Sequence, residues 1–257
     1  MALLELSGVS LAFAGLHALQ NIGFSVGPNQ IVGLIGPNGA GKSTLINCIS
    51  RLYRPDGGSI HFDGYDLTAL KCHQVASIGI RRTFQNLELF RQASVRENVT
   101  LGLAYRHRST LVGDLLGLPA ARERRRAAEE ATAAVLALTG LSAEADLQVG
   151  DLPYGLQKTV EIARALAGRP KLLLLDEPAA GMNPEESRAV ADRVRRLRDD
   201  KGISVLLVEH DMRVIMSACD HIVVLDHGEK IAEGSPADIR RSPAVIKAYL
   251  GDGTTDA

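Results

Sequence analysis

Three stretches of the chain carry residues whose types and spacing could do chemistry. Gly36-Pro37-Asn38-Gly39-Ala40-Gly41-Lys42-Ser43-Thr44 has the form G-x-x-x-x-G-K-[ST], directly after the apolar run Ile31 to Ile35 and directly before a helical pattern. Glycines let successive backbone N–H groups curve around an anion, and the helix that follows presents its positive end. Lys42 adds a point charge and Ser43 a hydroxyl suited to a magnesium ion. The ligand such a loop suits is a triphosphate. Second, Leu172 to Leu175 is an apolar strand ending in two adjacent acids, Asp176 and Glu177. Neighbouring residues on an extended chain point in different directions, so Asp176 can face a metal through water while Glu177 orients or deprotonates an attacking water. Alone, the pair would also fit a strand-ending Asp-Glu-Pro turn; the loop upstream favours the metal. Third, His210 follows the apolar strand Ser204 to Val208 and could reach a terminal phosphate. By itself a strand-end histidine is more often a surface residue or a helix cap, and the single Gln85 carries almost no information.

Positioning these residues requires a sheet. The spacing predicts strands at Ile31 to Ile35, Leu172 to Leu175 and Ser204 to Val208, and helices at Ser43 to Arg51 and Pro184 to Lys201. The second helix is well marked, with Asn183 at its N-cap, Pro184 at N1, acids in the first turn and Val190, Val194 and Leu197 as an inward stripe. Alternation of strands and helices implies a parallel sheet. The first thirty residues read instead as short strands with turns, and Asp226-His227-Gly228 as a hairpin loop. Between about 91 and 168 helix formers dominate, with a helix at Ala120 to Leu138. Its ArgGluArgArgArg run, 122 to 126, is followed by Glu129 and Glu130 and reads as a solvated face.

Composition narrows the classes. The chain has 257 residues, 46% of them hydrophobic and 23% charged, which describes a globular protein and excludes disordered and collagen-like ones. Lys plus Arg total 29 against 30 Asp plus Glu, a net charge of -1, so no bulk field attracts nucleic acid and no such partner is expected. Cys48, Cys72 and Cys219 are odd in number and far apart, a pattern for neither a disulfide framework nor a zinc site. The N-terminal MALLELSG meets Glu5 before any secretory signal could develop. The stretch Leu6 to Gly41 lacks charged residues but is broken by Gly, Pro, Asn, Gln and His, so no membrane span is expected.

Taken together and in this order, the motifs resemble the ATP-binding subunits of ABC transporters over essentially the whole chain, most closely the branched-chain amino acid importer ATPases. AlaAlaGly-x-AsnPro at 179 to 184 and GluHisAspMet at 209 to 212 are the phrases similar to that group. The resemblance implies an α/β fold: a P-loop NTPase (RecA-like) core with a flanking antiparallel β subdomain and an inserted α-helical subdomain. A single ABC ATPase domain would fill 1–257. Its antiparallel part would lie mainly within 1–30 and 58–65, the core at 31–90 and 168–235, the helical part at about 91–167 and C-terminal helices at 236–250. Gly36 to Thr44 resembles the Walker A loop, with Gly36, Asn38, Gly39, Ala40, Gly41, Lys42, Ser43 and Thr44 on the nucleotide. Leu172 to Glu177 resembles Walker B with its catalytic Glu177, Gln85 the Q-loop glutamine, His210 the switch histidine and Phe13 the aromatic that stacks on adenine. ATP and Mg²⁺ are the implied ligands, the metal held by Ser43, by Gln85 and, through water, by Asp176. The D-loop position is Asn183, where the commoner pattern has Asp.

One element departs from the family. The signature L-S-G-G-Q reads Leu152-Pro153-Tyr154-Gly155-Leu156 here, placed by Ile162 to Leu166 downstream. Pro153 removes a serine hydroxyl and a backbone donor from a helix N-terminus whose task is to grip phosphate. Family members work as head-to-tail pairs in which each signature serves the partner's nucleotide. The expectation is therefore a heterodimer whose site built with the Pro153 segment is slower, with a homodimer as runner-up. The resemblance also implies transmembrane permease subunits, reached through Gln85 and the segment Asn86 to Asn98 with Leu87, Leu89 and Phe90. It further implies a solute-binding protein acting indirectly, and a peripheral position on the cytoplasmic face of the membrane. The expected function is ATP hydrolysis driving import of branched-chain amino acids or similar small solutes. The alternatives are a soluble ABC-type ATPase and a nucleotide-binding regulator without a permease.

Overall fold

A computed structural model describes residues 2–83, 87–103 and 119–250. The chain forms two compact units, Met1–Arg82 with Lys171–Ala257, and Thr83–Pro170. The expected limits of the helical part were about 91 and 167. The unit is wider because the last strand before it ends at Arg82 and Leu89 already packs into the helical cluster.

In the first unit, β1 (Leu4–Phe13) and β2 (Leu16–Val26) form a long antiparallel hairpin, and β3 (Ile31–Ile35) leads into α1 (Lys42–Ile49). Next come β4 (Gly57–Phe62), β5 (Tyr65–Asp66), the short α2 (Cys72–Val75) and β6 (Ile80–Arg82). One sheet has the order β2-β1-β4-β5 and is antiparallel throughout. The first thirty residues were expected as short strands. Register shifts between Leu6 and Val9, and again before Leu11 and Ala12, break the alternation of two strands of 10 and 11 residues.

The second unit contains α3 (Val95–Leu101), α4 (Pro119–Thr139) and α5 (Tyr154–Ala167). Ser94 caps α3 in a reciprocal box with Glu97. Val95, Val99, Leu136, Leu141, Val160 and Ala163 are buried together at its centre.

The chain then returns to the first unit with β7 (Leu172–Asp176), α6 (Pro184–Lys201), β8 (Ser204–Val208), α7 (Met212–Ala218), β9 (His221–Asp226), β10 (Glu229–Gly234), α8 (Pro236–Arg241) and α9 (Pro243–Leu250). Its second sheet has the order β10-β9-β3-β8-β7-β6, parallel except for the β9–β10 hairpin around His227-Gly228. Strands β3, β7 and β8 are buried along their whole length, as expected for parallel strands covered on both faces. Residues of both sheets and of α1 share one core. Helix α6 has the expected bounds, and Val190, Val194 and Leu197 are buried. Helix α1 is shorter than the expected 43 to 51, because Arg51 adopts φ 61 and turns the chain out of the helix. Strand β7 is one residue longer than expected, since Asp176 still pairs with Val208. Among the described residues no helix is long and apolar enough to cross a membrane.

Candidate functional site

The loop between β3 and α1 turns on two glycines. Gly36 has φ 153, and a Cβ there would lie 2.1 Å from the Leu225 carbonyl oxygen. Gly41, with φ 98, is the N-cap of α1 and supplies no side-chain cap. The first N–H groups of α1 are thus left for a ligand instead of being closed by Ser, Thr or Asp. Pro37, Asn38 and Gly39 form the turn between them, and Gly228 of the hairpin donates to Ala40 O at 3.2 Å. Lys42 is buried and folds back on the loop, with Nζ donating to Gly36 O at 2.7 Å and Pro37 O at 2.9 Å. Burial pushes its pKa down, opposed by the charges of Glu177 and Asp176. Ser43 is exposed and Thr44 half-buried at the start of α1.

Both acids stand at the end of β7. Asp176 is buried and paired with Arg82, while Glu177 turns away with φ 49 as its N–H donates to Val208 O at 2.9 Å. A left-handed glutamate before a proline is uncommon, and such conformations concentrate where a side chain must be aimed. His210, beyond the neighbouring β8, puts Nδ1 3.9 Å from Glu177 Oε1. The parallel pairing of β7 and β8 makes this meeting possible, since both strands end on the same edge.

Phe13, at the end of β1, is half exposed, and Tyr53 stands edge-on to it with ring centroids 5.3 Å apart. Asn183 spends its side chain on capping α6, accepting from Glu185 N at 2.9 Å and Glu186 N at 3.0 Å. Gln85 lies outside the described residues, as does Asn86. In the helical unit Pro153 is the N-cap of α5, without a side-chain cap, and Tyr154 is exposed with Gly155 and Leu156 half-buried. The helix dipole and the first backbone donors are what this segment presents.

Three residues escaped the reading of the sequence. Tyr53 lies past α1 with no pattern to single it out. Arg82, at the end of β6, reaches both Asp176 and Asn47. Its signal was a charged residue closing a short strand, with nothing in the sequence to pair that strand with β7. Glu209 is fully buried, and its carboxylate accepts from Ala179 N at 2.7 Å and His210 N at 3.2 Å. Burial raises its pKa against the pull of these donors. The signal there was an acid directly after a buried strand. At the other end of the loop, the Tyr249 hydroxyl faces the Gly36 N–H, which lowers its pKa, but burial raises it on balance.

The chain is similar to known proteins along nearly its whole length. A family model described as ABC transporter matches residues 19–180, and one described as branched-chain amino acid ATP-binding cassette transporter matches residues 229–254, the stretch from β10 to Tyr249 and beyond. The chain is 43% identical over 251 residues to the high-affinity branched-chain amino acid transport ATP-binding protein BraF of Pseudomonas aeruginosa, covering 97% of this chain and 98% of that protein. It is 40% identical over 250 residues to LivG of Escherichia coli K12, of the same description, with the same coverage. Among solved structures, the ADP conformation of MJ1267, an ATP-binding cassette of an ABC transporter, gives a TM-score of 0.85 at 31% identity, covering 98% of this chain and 99% of that one. Matched over residues 19–180 by the ABC transporter model and nearly end to end by transport ATP-binding proteins, the chain belongs to the ABC transporter family as one of its ATP-binding subunits.

Proposed function

We propose that this chain is the ATP-hydrolysing subunit of an importer for branched-chain amino acids or similarly small solutes. The observation that carries the hydrolytic part is Glu177, turned out of β7 toward His210 beside Lys42. The solute class rests on what BraF and LivG are described as serving.

Gly36, Asn38, Gly39, Ala40, Gly41 and Thr44 hold the phosphates of ATP through backbone donors and the start of α1, with Phe13 stacking on the adenine. The donor set fits Mg²⁺, since the Ser43 hydroxyl is a hard oxygen ligand, Gln85 would add a second, and the Asp176 carboxylate would hold the metal through water. The metal, when bound, neutralises charge on the phosphoryl oxygens. Glu177 orients a water for in-line attack and accepts its proton. Lys42 and His210 stabilise charge that develops on the γ-phosphate. Proton transfer by a positioned carboxylate typically contributes about 10²–10⁴-fold.

The segment Pro153 to Leu156 would close over the nucleotide of a second ATPase subunit, as hetero- or homodimer, with Asn183 shaping the adjacent loop through its cap. Permease subunits would dock on the helical unit, where a cavity of about 670 Å³ is lined by Phe90, Ala93, Leu101 and Leu103, with Arg96 and Arg125 also on its wall. The chain then sits peripherally on the cytoplasmic face of the membrane, and a solute-binding protein acts on it only through the permease.

Two measurements test this. Detergent extracts should yield the chain with permease subunits and a second ATPase. Glu177→Gln should keep ATP affinity while turnover falls by about 10²-fold or more. Wild-type turnover in that variant removes Glu177 from its role, and ATPase activity indifferent to permease vesicles argues for a cassette that works without a membrane partner.

A further inference from the structure

Arg82 divides its guanidinium between two elements. Nη2 donates to Asp176 Oδ2 at 2.9 Å and Nη1 to Asn47 Oδ1 at 2.6 Å. The Asp176 side chain is 3% exposed and that of Arg82 11%, so water screens the pair little. Asn47 lies one turn beyond Ser43 on α1, on the same helix face. One planar cation thus ties the helix that bears the Ser43 hydroxyl to the strand that bears the Asp176 carboxylate. A guanidinium does not lose its proton in a protein. Asp176 is therefore paired with a permanent positive charge at the place where, on the reading above, it acts on a divalent cation.

This has two consequences. The fork sets the spacing and rotation of the helix bearing the Ser43 hydroxyl and of the carboxylate that would meet the metal through water, without itself being a ligand. Its charge also opposes a second cation, so the carboxylate alone is a poor metal site. The triphosphate's own negative charge is then needed to bring the metal in. We propose that Arg82 is a positioning residue that makes cation binding at this site conditional on nucleotide, by holding Asp176 oriented and charge-compensated until ATP arrives. The proposal rests on the assignment of Asp176 to the metal site.

Mn²⁺ serves as the probe, with free ion counted by electron paramagnetic resonance on the full-length chain, with and without a non-hydrolysable ATP analogue. Arg82→Gln keeps hydrogen-bonding capacity and removes the charge. It should tighten Mn²⁺ binding about three- to tenfold, with the larger gain in the absence of nucleotide, where no phosphate masks the change. Arg82→Lys, which keeps the charge, should stay within about twofold of wild type in affinity. Asn47→Asp, which draws the guanidinium from Asp176 and leaves Arg82 in place, should also tighten binding and covers the case in which Arg82→Gln does not fold. Adding Asp176→Asn should abolish either gain. Unchanged or weaker Mn²⁺ binding in both Arg82→Gln and Asn47→Asp overturns the proposal. Should Asp176→Asn alone leave Mn²⁺-nucleotide affinity untouched, the metal-site reading fails first and the proposal with it.

Discussion

Glu209 offers the sharpest perturbation of the site, because its carboxylate is fully buried between the Ala179 loop and His210. Glu209→Ala removes the acceptor from three backbone donors, the N–H groups of Ala179, His210 and Asp211. Ala179 is buried, so its N–H loses its partner without access to water, while the exposed side of His210 lets its N–H recover one. A buried unsatisfied donor costs about 1–3 kcal/mol, so the loss should be near 2–3 kcal/mol once the smaller His210 contribution is added. Glu209→Gln keeps one acceptor but turns an amide N–H₂ toward a donor, and should cost about 1 kcal/mol. Its pH dependence has a definite sign. Burial raises the folded-state pKa of Glu209 above its unfolded value. That contribution to stability is fully present below the unfolded pKa and is lost as pH rises through the folded one. Acidifying from neutral pH toward the ordinary glutamate range should therefore shift the balance toward wild type relative to Glu209→Gln. Urea unfolding at several pH values reads this directly, and steady-state ATPase assays read the second effect. With the main chain at His210 released, the 3.9 Å approach to Glu177 is no longer held, and kcat should fall about tenfold with KM for ATP nearly constant. Stability of Glu209→Ala within about 0.5 kcal/mol of wild type, with unchanged kcat, would refute the reasoning.

Three further outcomes follow from the same geometry. Phe13→Ala should weaken ATP affinity by roughly tenfold, the usual scale for losing an aromatic stack on a base, whereas Tyr53→Ala, which removes only the edge contact, should cost about 0.5–1.5 kcal/mol or less; fluorescent-nucleotide titration distinguishes the two. Gly36→Ala places a Cβ 2.1 Å from the Leu225 carbonyl, backbone that cannot swing aside, so nucleotide binding should be lost and thermal stability should drop by about 1–3 kcal/mol. A variant that binds ATP normally contradicts this. Pro153→Ser restores a side-chain cap where α5 has none and should raise turnover of the assembled complex, as well as stabilising the helix by about 0.5–2 kcal/mol. Turnover unchanged after assembly would count against the weakened-signature idea.

Several features were legible from residues alone because they are local. The loop from Gly36 to Thr44 announces itself by glycine spacing, β7 and β8 by unbroken apolar runs, and α6 by Asn183, Pro184 and two acids, since caps and buried strands act within a few residues. The hairpin at Asp226-His227-Gly228 was readable for the same reason. The β1–β2 hairpin was underestimated because bulges break the period on which strand recognition depends. The ends of α1 and β7 were missed by a residue or two, decided by the left-handed Arg51 and by the pairing of Asp176 with Val208.

Residue type and order along the chain determined that this protein is an ABC-type ATP-binding subunit, with a glycine-rich loop whose pattern suits a phosphate chain and an acid pair whose pattern suits hydrolysis. Only the tertiary structure decided which groups restrain those residues. Arg82 meets Asp176 across 94 positions and Glu209 meets Ala179 across 30, and neither pairing has a sequence period. The parallel register of β6, β7 and β8 brings their ends to one edge, so charges far apart in the chain become neighbours.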